Sequence, residues 1–489
     1  MSSPVSSSTS SISGLISGMD TTTVISQLMQ IEAQPQNLLK SQLSATKTDA
    51  AAYRDVNSAF AALATAAGAL SKASTWSTAT ATSTDSTVTA TATAGATQGS
   101  LTFSVDRLAT THSVMAASTW PKATDPYGLG STLTIKSSDD TQTFGTIKIT
   151  SSTTGAASLN DAIAAINKSG LGLSAAAIQT STGVALQVTS TASGSAKAFK
   201  IQSDTDSTGA DYAVATQGVD AQISFANPSK PSQPYTSTSA TNTFSNVLNG
   251  TSITVGKAST TPITVSVATD PNAIAAAVQS MVTAANNALA KIGSYTDSST
   301  GSTAPLKGDY SLINLTGRVL DAVSSTVGTS LLDAQGKPIS SSAGSNGLQL
   351  TRDGQLTFDP AAFKAALAAN PTLVQTVFGG TTLVGADKVA NTPDDTVGVD
   401  GVGARLLVLA SQASDKAAGS LTSLANGQDT RAKDIQSQID AWTLRLQARQ
   451  QTLTNQFTAM ETALGTLKNQ ASWLTSQINQ LPSYSSKSN

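Results

Sequence analysis

The sequence predicts an α+β protein in which helical segments at both ends of the chain flank an antiparallel β-rich region. Two observations lead to this prediction. The terminal segments repeat apolar residues every three or four positions, which is typical of coiled coils and helical bundles. The segment between them alternates apolar residues with Ser and Thr, which is typical of antiparallel strands. We therefore expect terminal coiled-coil or helical-bundle legs with β-rich head domains inserted between them.

The N-terminal helices follow a Ser-rich stretch that ends near Ser13 and that we expect to be disordered. Asp20 or Thr21 is a suitable N-cap for a first helix. Pro35 interrupts this helix, because proline has no amide proton and restricts the residue before it. A longer helix is predicted from there to about Lys72. Its apolar stripe has coiled-coil spacing and comprises Tyr53, Val56, Phe60, Leu63, Ala67 and Leu70.

The middle of the chain, from Ser74 to about Pro271, is rich in Ser, Thr and Gly. One helix is predicted within it, capped by Ser158 or Asn160 and ending near Gly170. The remainder forms strands with solvated threonine faces. These strands are predicted around Val88, Leu101, Leu133, Ile147, Val184 and Ile263.

Helical patterns return after this region. They begin at Pro271, Tyr310 and Pro360. A Gly/Asp-rich loop from about Gly379 to Gly403 then separates them from the C-terminal helices.

The C-terminal segment carries the longest apolar repeat in the chain, about six to seven heptads from Ile435 to Leu481. Arg449 occupies one position of the repeat and weakens it, and Pro482 ends it. Such a narrow seam could close a helical hairpin within one subunit, but it suits packing between subunits better. The predicted interface residues of the two helical segments are Tyr53, Val56, Phe60, Leu63, Leu70, Ile435, Ile439, Trp442, Leu446, Leu453, Phe457, Met460, Leu464, Leu467, Leu474 and Ile478.

These patterns predict a chain of several domains whose two ends pack together. The expected segments are a flexible N-terminal leg (residues 1–40), a helical bundle (41–73 with 271–430), a β-rich domain (74–125 with 215–270), an inserted β-rich domain (126–214) and a C-terminal coiled-coil leg (431–489).

Composition argues against an enzyme. The chain has no cysteine and a single histidine, His112, which lies in an alternating run and is expected to be a strand residue. Thiolate chemistry, disulfides and multi-histidine metal sites are therefore excluded. The net charge is −2 without a basic cluster, which argues against a nucleic-acid partner. No apolar run reaches the ~18 residues that span a bilayer, and the N-terminus lacks the pattern of a secretory signal.

Three weaker motifs favour structural interpretations. The acidic loop from Gly385 to Gly401 offers oxygen ligands for calcium, but its spacing lacks the EF-hand glycine and glutamate, so a solvated loop is expected. Asp139 and Asp140 are expected in a surface turn. Trp442 and Trp473 are expected to pack in a core or interface. The acidic residues of the loop are Asp387, Asp394, Asp395 and Asp400. We predict no catalytic residue, cofactor or metal.

The segment Ile12–Met29 resembles the N-terminal signature of the flagellar filament cap protein family, also called hook-associated protein 2 or FliD. Ile16 departs from the pattern, because the family often has a small residue there. The matching positions are Gly14, Ser17, Gly18, Met19, Asp20, Gln27, Leu28 and Met29. Further segments that resemble the family begin at Phe103, Ser158, Gly218, Asn249, Leu306, Arg352 and Val377.

The resemblance implies a structural cap at the distal tip of the flagellar filament, built as a homo-oligomeric plate of five subunits, or six. Leg-like terminal helices would contact the filament, and the cap would retain exported flagellin and promote its folding and insertion. Further implied partners are the hook–filament junction protein and a cytoplasmic export chaperone that binds the C-terminal helices. The implied location is extracellular, after export by the flagellar type III system without a cleaved signal peptide.

Two alternative functions stay open at this point. Another axial protein, such as a hook–filament junction protein or flagellin, would share the terminal heptads but not the N-terminal signature. An adhesin for host surfaces or mucin would use the β-rich domains and is compatible with a cap.

Overall fold

The computed structural model describes residues 18, 20–332, 338–383, 396–399 and 401–480. The Ser-rich N-terminal stretch, Gly14, most of the acidic loop and Leu481 lie outside these residues. The helices in the described part are α1 (Thr21–Glu32), α2 (Gln34–Leu70), α3 (Ala73–Trp76), α4 (Leu159–Lys168), α5 (Pro271–Thr296), α6 (Tyr310–Ser324), α7 (Pro360–Ala369), α8 (Pro371–Gly379), α9 (Val402–Ser414) and α10 (Ser420–Asn479).

The strands alternate with these helices mainly in the middle of the chain. They are β1 (Ala79–Ser83), β2 (Val88–Ala92), β3 (Gly99–Arg107), β4 (Thr111–Trp120), β5 (Thr132–Ser137), β6 (Thr143–Lys148), β7 (Leu173–Thr180), β8 (Gly183–Ser193), β9 (Phe199–Ser203), β10 (Tyr212–Thr216), β11 (Ala221–Phe225), β12 (Tyr235–Ser239), β13 (Thr243–Ser245), β14 (Thr251–Val255), β15 (Ser259–Thr269), β16 (Val327–Leu332), β17 (Pro338–Ser341), β18 (Leu348–Leu350), β19 (Leu356–Phe358), β20 (Thr381–Leu383) and β21 (Thr396–Val399).

The chain divides into two compact units. The β unit comprises Lys72–Ala277, and the helical unit comprises the chain before Lys72 and from Val278 onward. All strand pairs are antiparallel. The predicted α+β class is confirmed.

Two hydrophobic cores lie within the β unit. The first β core is formed by the sheets β1-β15-β3-β11-β12 and β13-β14-β2, and its buried side chains include Phe103, Ile223 and Val265. The second β core is formed by α4 and the sheets β10-β4-β8-β7 and β6-β5-β9, and its buried side chains include Leu133 and Leu186. Alternation of apolar and Thr residues buries one face of each strand and leaves the other to water.

Helix α4 shows why this short element is stable among strands. Ser158 and Asp161 form a reciprocal capping box at its N-terminus. Near its other end, Asn167 donates from Nδ2 to the carbonyl of Ala175 at 3.0 Å and accepts from the Ala175 amide at 2.7 Å. The side chain thereby pairs with the outer strand β7 as a neighbouring strand would. The predicted helix with a Ser158 cap is confirmed.

The helical unit is built around α2, which packs against α9 and α10. Polar contacts attach α2 to other helices of the unit. Asp55 accepts hydrogen bonds from Lys291 and Tyr295 of α5, each at 2.7 Å, and these bonds lower the pKa of Asp55. A separate contact joins α5 to β19. Asn286 Nδ2 donates to the Leu356 carbonyl, and Asn286 Oδ1 accepts from the Leu356 amide, each at 2.8 Å.

Several predicted boundaries change in the structure. The helix break at Pro35 is confirmed, because α1 ends at Glu32 and Pro35 lies in the first turn of α2. The prediction of a loop from Gly379 to Gly403 is wrong at its edges, since β20 and β21 pair within it and α9 begins at Val402. Helix α8, with Asn370 as its N-cap, was not predicted. The expected boundary between residues 430 and 431 falls inside the continuous helix α10.

Candidate interaction surface

The N-terminal and C-terminal helices of the helical unit pack side by side, with α10 lying against α1 and α2. Gln36 Nε2 donates to Thr443 Oγ1 at 2.7 Å. Arg449 Nε donates to Glu32 Oε1 at 2.9 Å. As the chain advances from Glu32 to Gln36, its partner on α10 moves back from Arg449 to Thr443. The N-terminal helices and α10 therefore run antiparallel.

Arg449 stands in the apolar repeat at a position where the sequence predicts a weaker seam. Its side chain is 49% exposed and that of Glu32 is 36% exposed, so the pair lies at the edge of the helix contact. Exposed ion pairs of this kind contribute at most about 1 kcal/mol. The structure therefore gives Arg449 an ionic partner on α1 while keeping its guanidinium in water.

The apolar stripe of α2 lies inside the helical unit. The Tyr53 hydroxyl donates to the carboxylate of Asp309, the residue that caps α6, and burial raises the pKa of Tyr53. The stripe residues are at most 4% exposed: Tyr53, Val56, Phe60, Leu63 and Leu70. Their side chains pack within their own chain, so the interface between subunits that we propose below does not include them.

The apolar seam of α10 changes from buried to exposed along its length. Ile435, Ile439 and Leu453 are buried against the rest of the helical unit. A middle group is half-buried and comprises Trp442, Leu446, Phe457, Met460 and Leu464. The last group is exposed and comprises Leu467 (60%), Leu474 (54%) and Ile478 (58%), with Trp473 (64%) beside it. In the described structure the seam therefore ends as an open apolar stripe.

A second open stripe lies on α1 and the start of α2. Ile25 and Met29 of α1 are half-buried, whereas Val24, Leu28 and Ile31 are exposed. The next member of the exposed stripe is Leu38, seven residues after Ile31 and therefore on the same face in a heptad repeat. Helix α1 and the start of α2 thus carry apolar residues on two faces, and the face with the exposed residues is not covered by the rest of the described chain.

The described part of the N-terminal signature forms the start of α1. Gly18 has a positive φ of 74°, a conformation that favours glycine. Asp20 caps α1 by accepting from the Thr23 amide at 3.1 Å, and the bonds from Thr23 lower the pKa of this carboxyl. Gln27 and Leu28 lie on the exposed side of α1.

The histidine and the aspartate pair that the sequence offered as candidate catalytic groups lie in a strand and in a surface turn. His112 is buried in β4, as predicted. Asp140 lies in the predicted surface turn and pairs with Lys200 at 3.1 Å. A groove of about 510 Å³ between α6 and α9 is lined by charged and polar side chains, Arg318, Asp321, Ser325 and Arg405, and by the apolar side chains of Ala322, Ala404, Val408 and Leu409.

Neither a cluster of metal-ligating side chains nor a membrane-spanning helix occurs in the described residues. Among the described residues, no group of three His, Asp or Glu side chains is arranged to hold a metal ion. No helix in the same part of the chain is long and apolar enough to cross a membrane. Asp387, Asp394, Asp395 and Asp400 of the acidic loop fall outside the described part.

Two features of the surface were missed from the sequence. The apolar face of the first helix is predicted at Val24 and Leu28, but its extension to Ile31 and Leu38 was missed, because the break at Pro35 divides the stripe between two helices. The cation–π contact of Arg445, 5.5 Å from the Trp442 ring centre, depends on side-chain placement and has no sequence signal beyond the i, i+3 spacing.

Comparison with known proteins places this architecture in one family. A family model for the flagellar hook-associated protein 2 C-terminus matches residues 218–469, and one for the N-terminus of the same protein matches residues 17–112. No curated protein matches the chain.

Solved structures include similar chains. The D1-D2-D3 domains of the flagellar cap protein FliD from Escherichia coli are 21% identical, with a TM-score of 0.57 over 77% of this chain and 99% of that one. FliD (HAP2) from Pseudomonas aeruginosa PAO1 is 24% identical over 41% of this chain and 92% of that one, with a TM-score of 0.32. The first of these structures shows a shared fold.

Proposed function

The chain belongs to the flagellar hook-associated protein 2 family, and from that premise we propose that it forms the cap at the distal tip of a bacterial flagellar filament. In this role it is a homo-oligomer, of five subunits or six, that retains exported flagellin and promotes its folding and insertion. The role is structural and requires no catalytic residue. Export through the flagellar type III system, with a chaperone on the C-terminal helices, belongs to the same proposal.

The single observation that best supports this function is the open apolar stripe at the end of α10. Leu467, Leu474 and Ile478 are each more than half exposed although they continue a seam whose earlier residues are buried. Burying one such side chain fully contributes about 1.5–3 kcal/mol, so a partner that covers all three gains several kcal/mol. A subunit with an uncovered seam is suited to assembly through its terminal helices.

The stripe on α1 and α2 supports contacts that can be exchanged. Val24 and Leu28 are 37% and 39% exposed, whereas Ile31 and Leu38 are more than 60% exposed. Few charged residues flank them, so the contact depends on modest apolar areas and not on buried ion pairs. We infer that these legs hold the filament with contacts weak enough to shift as each new flagellin is added.

Electron microscopy and native mass measurement of the full-length protein test this function directly. We expect a discrete ring or stacked ring, and restored filament growth when the gene is returned to a deletion strain. A strictly monomeric protein at high concentration, together with normal filaments in the deletion strain, would refute the cap function.

A matched pair of variants tests the role of the seam. The triple change Leu467→Ser, Leu474→Ser and Ile478→Ser should abolish rings while leaving the circular dichroism of the subunit almost unchanged, because these side chains are exposed. The control is Leu444→Ser, which removes a 68% exposed leucine of the same helix that lies off the seam. If the triple variant assembles as well as the control, the seam is not the assembly surface.

A further inference from the structure

The only histidine of the chain lies where the two β cores are joined. The chain crosses from the first β core to the second between β3 and β4, and it returns between β10 and β11. His112 is the second residue of β4, directly after the outgoing crossing, and Gly218 is on the returning one. The Gly218 amide donates to His112 Nδ1 at 3.2 Å, so the imidazole ties the two crossings together.

The surroundings of His112 are closed. The residue is 0% exposed, and its own amide donates to Ser190 Oγ at 3.0 Å. Its ring meets the Phe199 ring edge to face, with the ring centres 5.0 Å apart. A Cβ placed on Gly218 would lie 3.0 Å from His112 Cβ and 3.0 Å from the Gly194 carbonyl oxygen, so a side chain at this position would require its neighbours to shift.

A second set of bonds holds the same crossing and does not titrate. The Thr110 amide donates to the Val219 carbonyl at 3.0 Å, and Thr110 Oγ1 donates to the Gln217 carbonyl at 2.6 Å. The Gly194 amide donates to the Thr110 carbonyl at 3.1 Å. The junction is therefore a short, hydrogen-bonded hinge that includes the His112 imidazole.

Within the described part of the chain, no carboxylate forms a hydrogen bond or ion pair with the His112 ring. The strands β4 and β8 carry no charged residue next to His112. On the other elements packed against it, Lys200 pairs with Asp140 at 3.1 Å, and Asp220 accepts from the Ser195 amide at 2.6 Å. Lys197 is exposed. Burial accordingly lowers the pKa of His112, and the Phe199 carbonyl only partly opposes this shift.

We propose that His112 makes the hinge between the two β cores sensitive to acid. Neutral imidazole accepts the Gly218 amide and closes the hinge. Protonation places a hydrogen on Nδ1, which removes this acceptor and leaves a buried charge without a counter-ion. The bond to Gly218 is then lost, and the second β core gains freedom to reorient relative to the first.

Distance measurement between two spin labels tests this hinge in the full-length chain. Because the chain has no cysteine, Thr89→Cys in β2 and Thr146→Cys in β6 introduce unique exposed labelling sites, one in each β core. The distance distribution is compared at about pH 7.5 and about pH 5, on either side of the ordinary histidine pKa of ~6.5. We expect a narrow distribution at the higher pH and a broader, shifted one at the lower pH.

The control is His112→Asn in the same labelled chain, because asparagine offers an amide oxygen to Gly218 but does not titrate. Its distribution should be the same at both pH values. Equal responses of the two proteins, or an unchanged distribution in the histidine protein, would overturn the proposal.

A second measurement does not depend on the folding of the variant. A full-length chain labelled with ¹³C only in histidine gives a single Cε1 signal in nuclear magnetic resonance. We expect its midpoint below ~6.5, with a second signal appearing as the hinge opens. A midpoint at the ordinary value, with one sharp signal throughout, would equally overturn the hinge.

Discussion

Gly403 and Gly427 provide a matched test of how closely the helices of the helical unit approach. Both are glycines within helices, α9 and α10 respectively. A Cβ on Gly403 would lie 2.7 Å from the Phe378 carbonyl oxygen and 3.2 Å from the Ala67 carbonyl oxygen. A Cβ on Gly427 would have no atom within 4 Å. The two sites therefore differ in available space, although the same methyl group is added.

The magnitudes follow from these distances. Overpacking costs about 1–3 kcal/mol, and replacing glycine by alanine in a helix returns up to about 1 kcal/mol. The nearest atom to this Cβ, the Phe378 carbonyl oxygen, belongs to the backbone, so a helix must shift to admit the methyl group. We expect Gly403→Ala to lower the free energy of unfolding by about 1–2 kcal/mol and Gly427→Ala to raise it by about 0.5–1 kcal/mol.

Thermal unfolding followed by circular dichroism at the helical minimum measures both variants in the full-length chain. A change of 1 kcal/mol shifts the midpoint by about 2–4 °C in a unit of this size, so the two variants should differ by several degrees. If Gly403→Ala unfolds at or above the temperature of Gly427→Ala, the close approach of α9 to α2 and α8 is incorrect.

Four further predictions concern single residues or contacts. Ser158→Ala removes the N-cap of α4 and should lower the stability of the β unit by about 1 kcal/mol, measured by thermal unfolding; no change would show that the cap is dispensable. Hydrogen bonds from Ser152 and Ser158 lower the pKa of Asp161 to about 2. The free energy of unfolding that this carboxylate contributes should therefore be fully present above its ordinary pKa near 3.8, and should be lost as the pH falls to about 2. Burial also lowers the pKa of His112 in the folded state, so the free energy of unfolding should begin to fall as the pH drops below about 6.5. A pH series of unfolding measurements in which stability is lost only near pH 2 would contradict this prediction. Arg449→Ala breaks the exposed pair with Glu32 and should cost less than about 1 kcal/mol, and a larger loss in urea unfolding would mean that the pair is buried in solution.

Local patterns predicted the elements whose stability depends on their own sequence. The capping residues of α4 and the apolar stripe of α2 are visible in the sequence, because cap and stripe lie at fixed spacings within one element. The break at Pro35 follows from the chemistry of proline. These features required no knowledge of distant residues.

Tertiary contacts decided the remainder. Strand β3 pairs with β11 and β15, which lie more than 100 residues further along the chain, so neither partner can be read from its neighbourhood. The α2 and α10 stripes have the same spacing, but only the α2 stripe is fully enclosed, because other helices of the unit surround it. Periodicity shows that a face is apolar, and it does not show which chain covers that face.

The end of α10 leads to a prediction about order. The buried residues of this helix extend no further than Glu461. Beyond it, Thr462, Thr466 and Thr475 bond back to the carbonyl four residues earlier, an arrangement that slightly destabilises helices. Most helical stability in proteins comes from tertiary packing, and apart from Leu464 and Gly465 the helix residues after Glu461 are exposed. We therefore expect backbone amides after Glu461 to exchange with deuterium rapidly in dilute monomer and slowly in the assembled ring. Slow exchange in the monomer would mean that the helix end is stable alone, and that assembly does not order it.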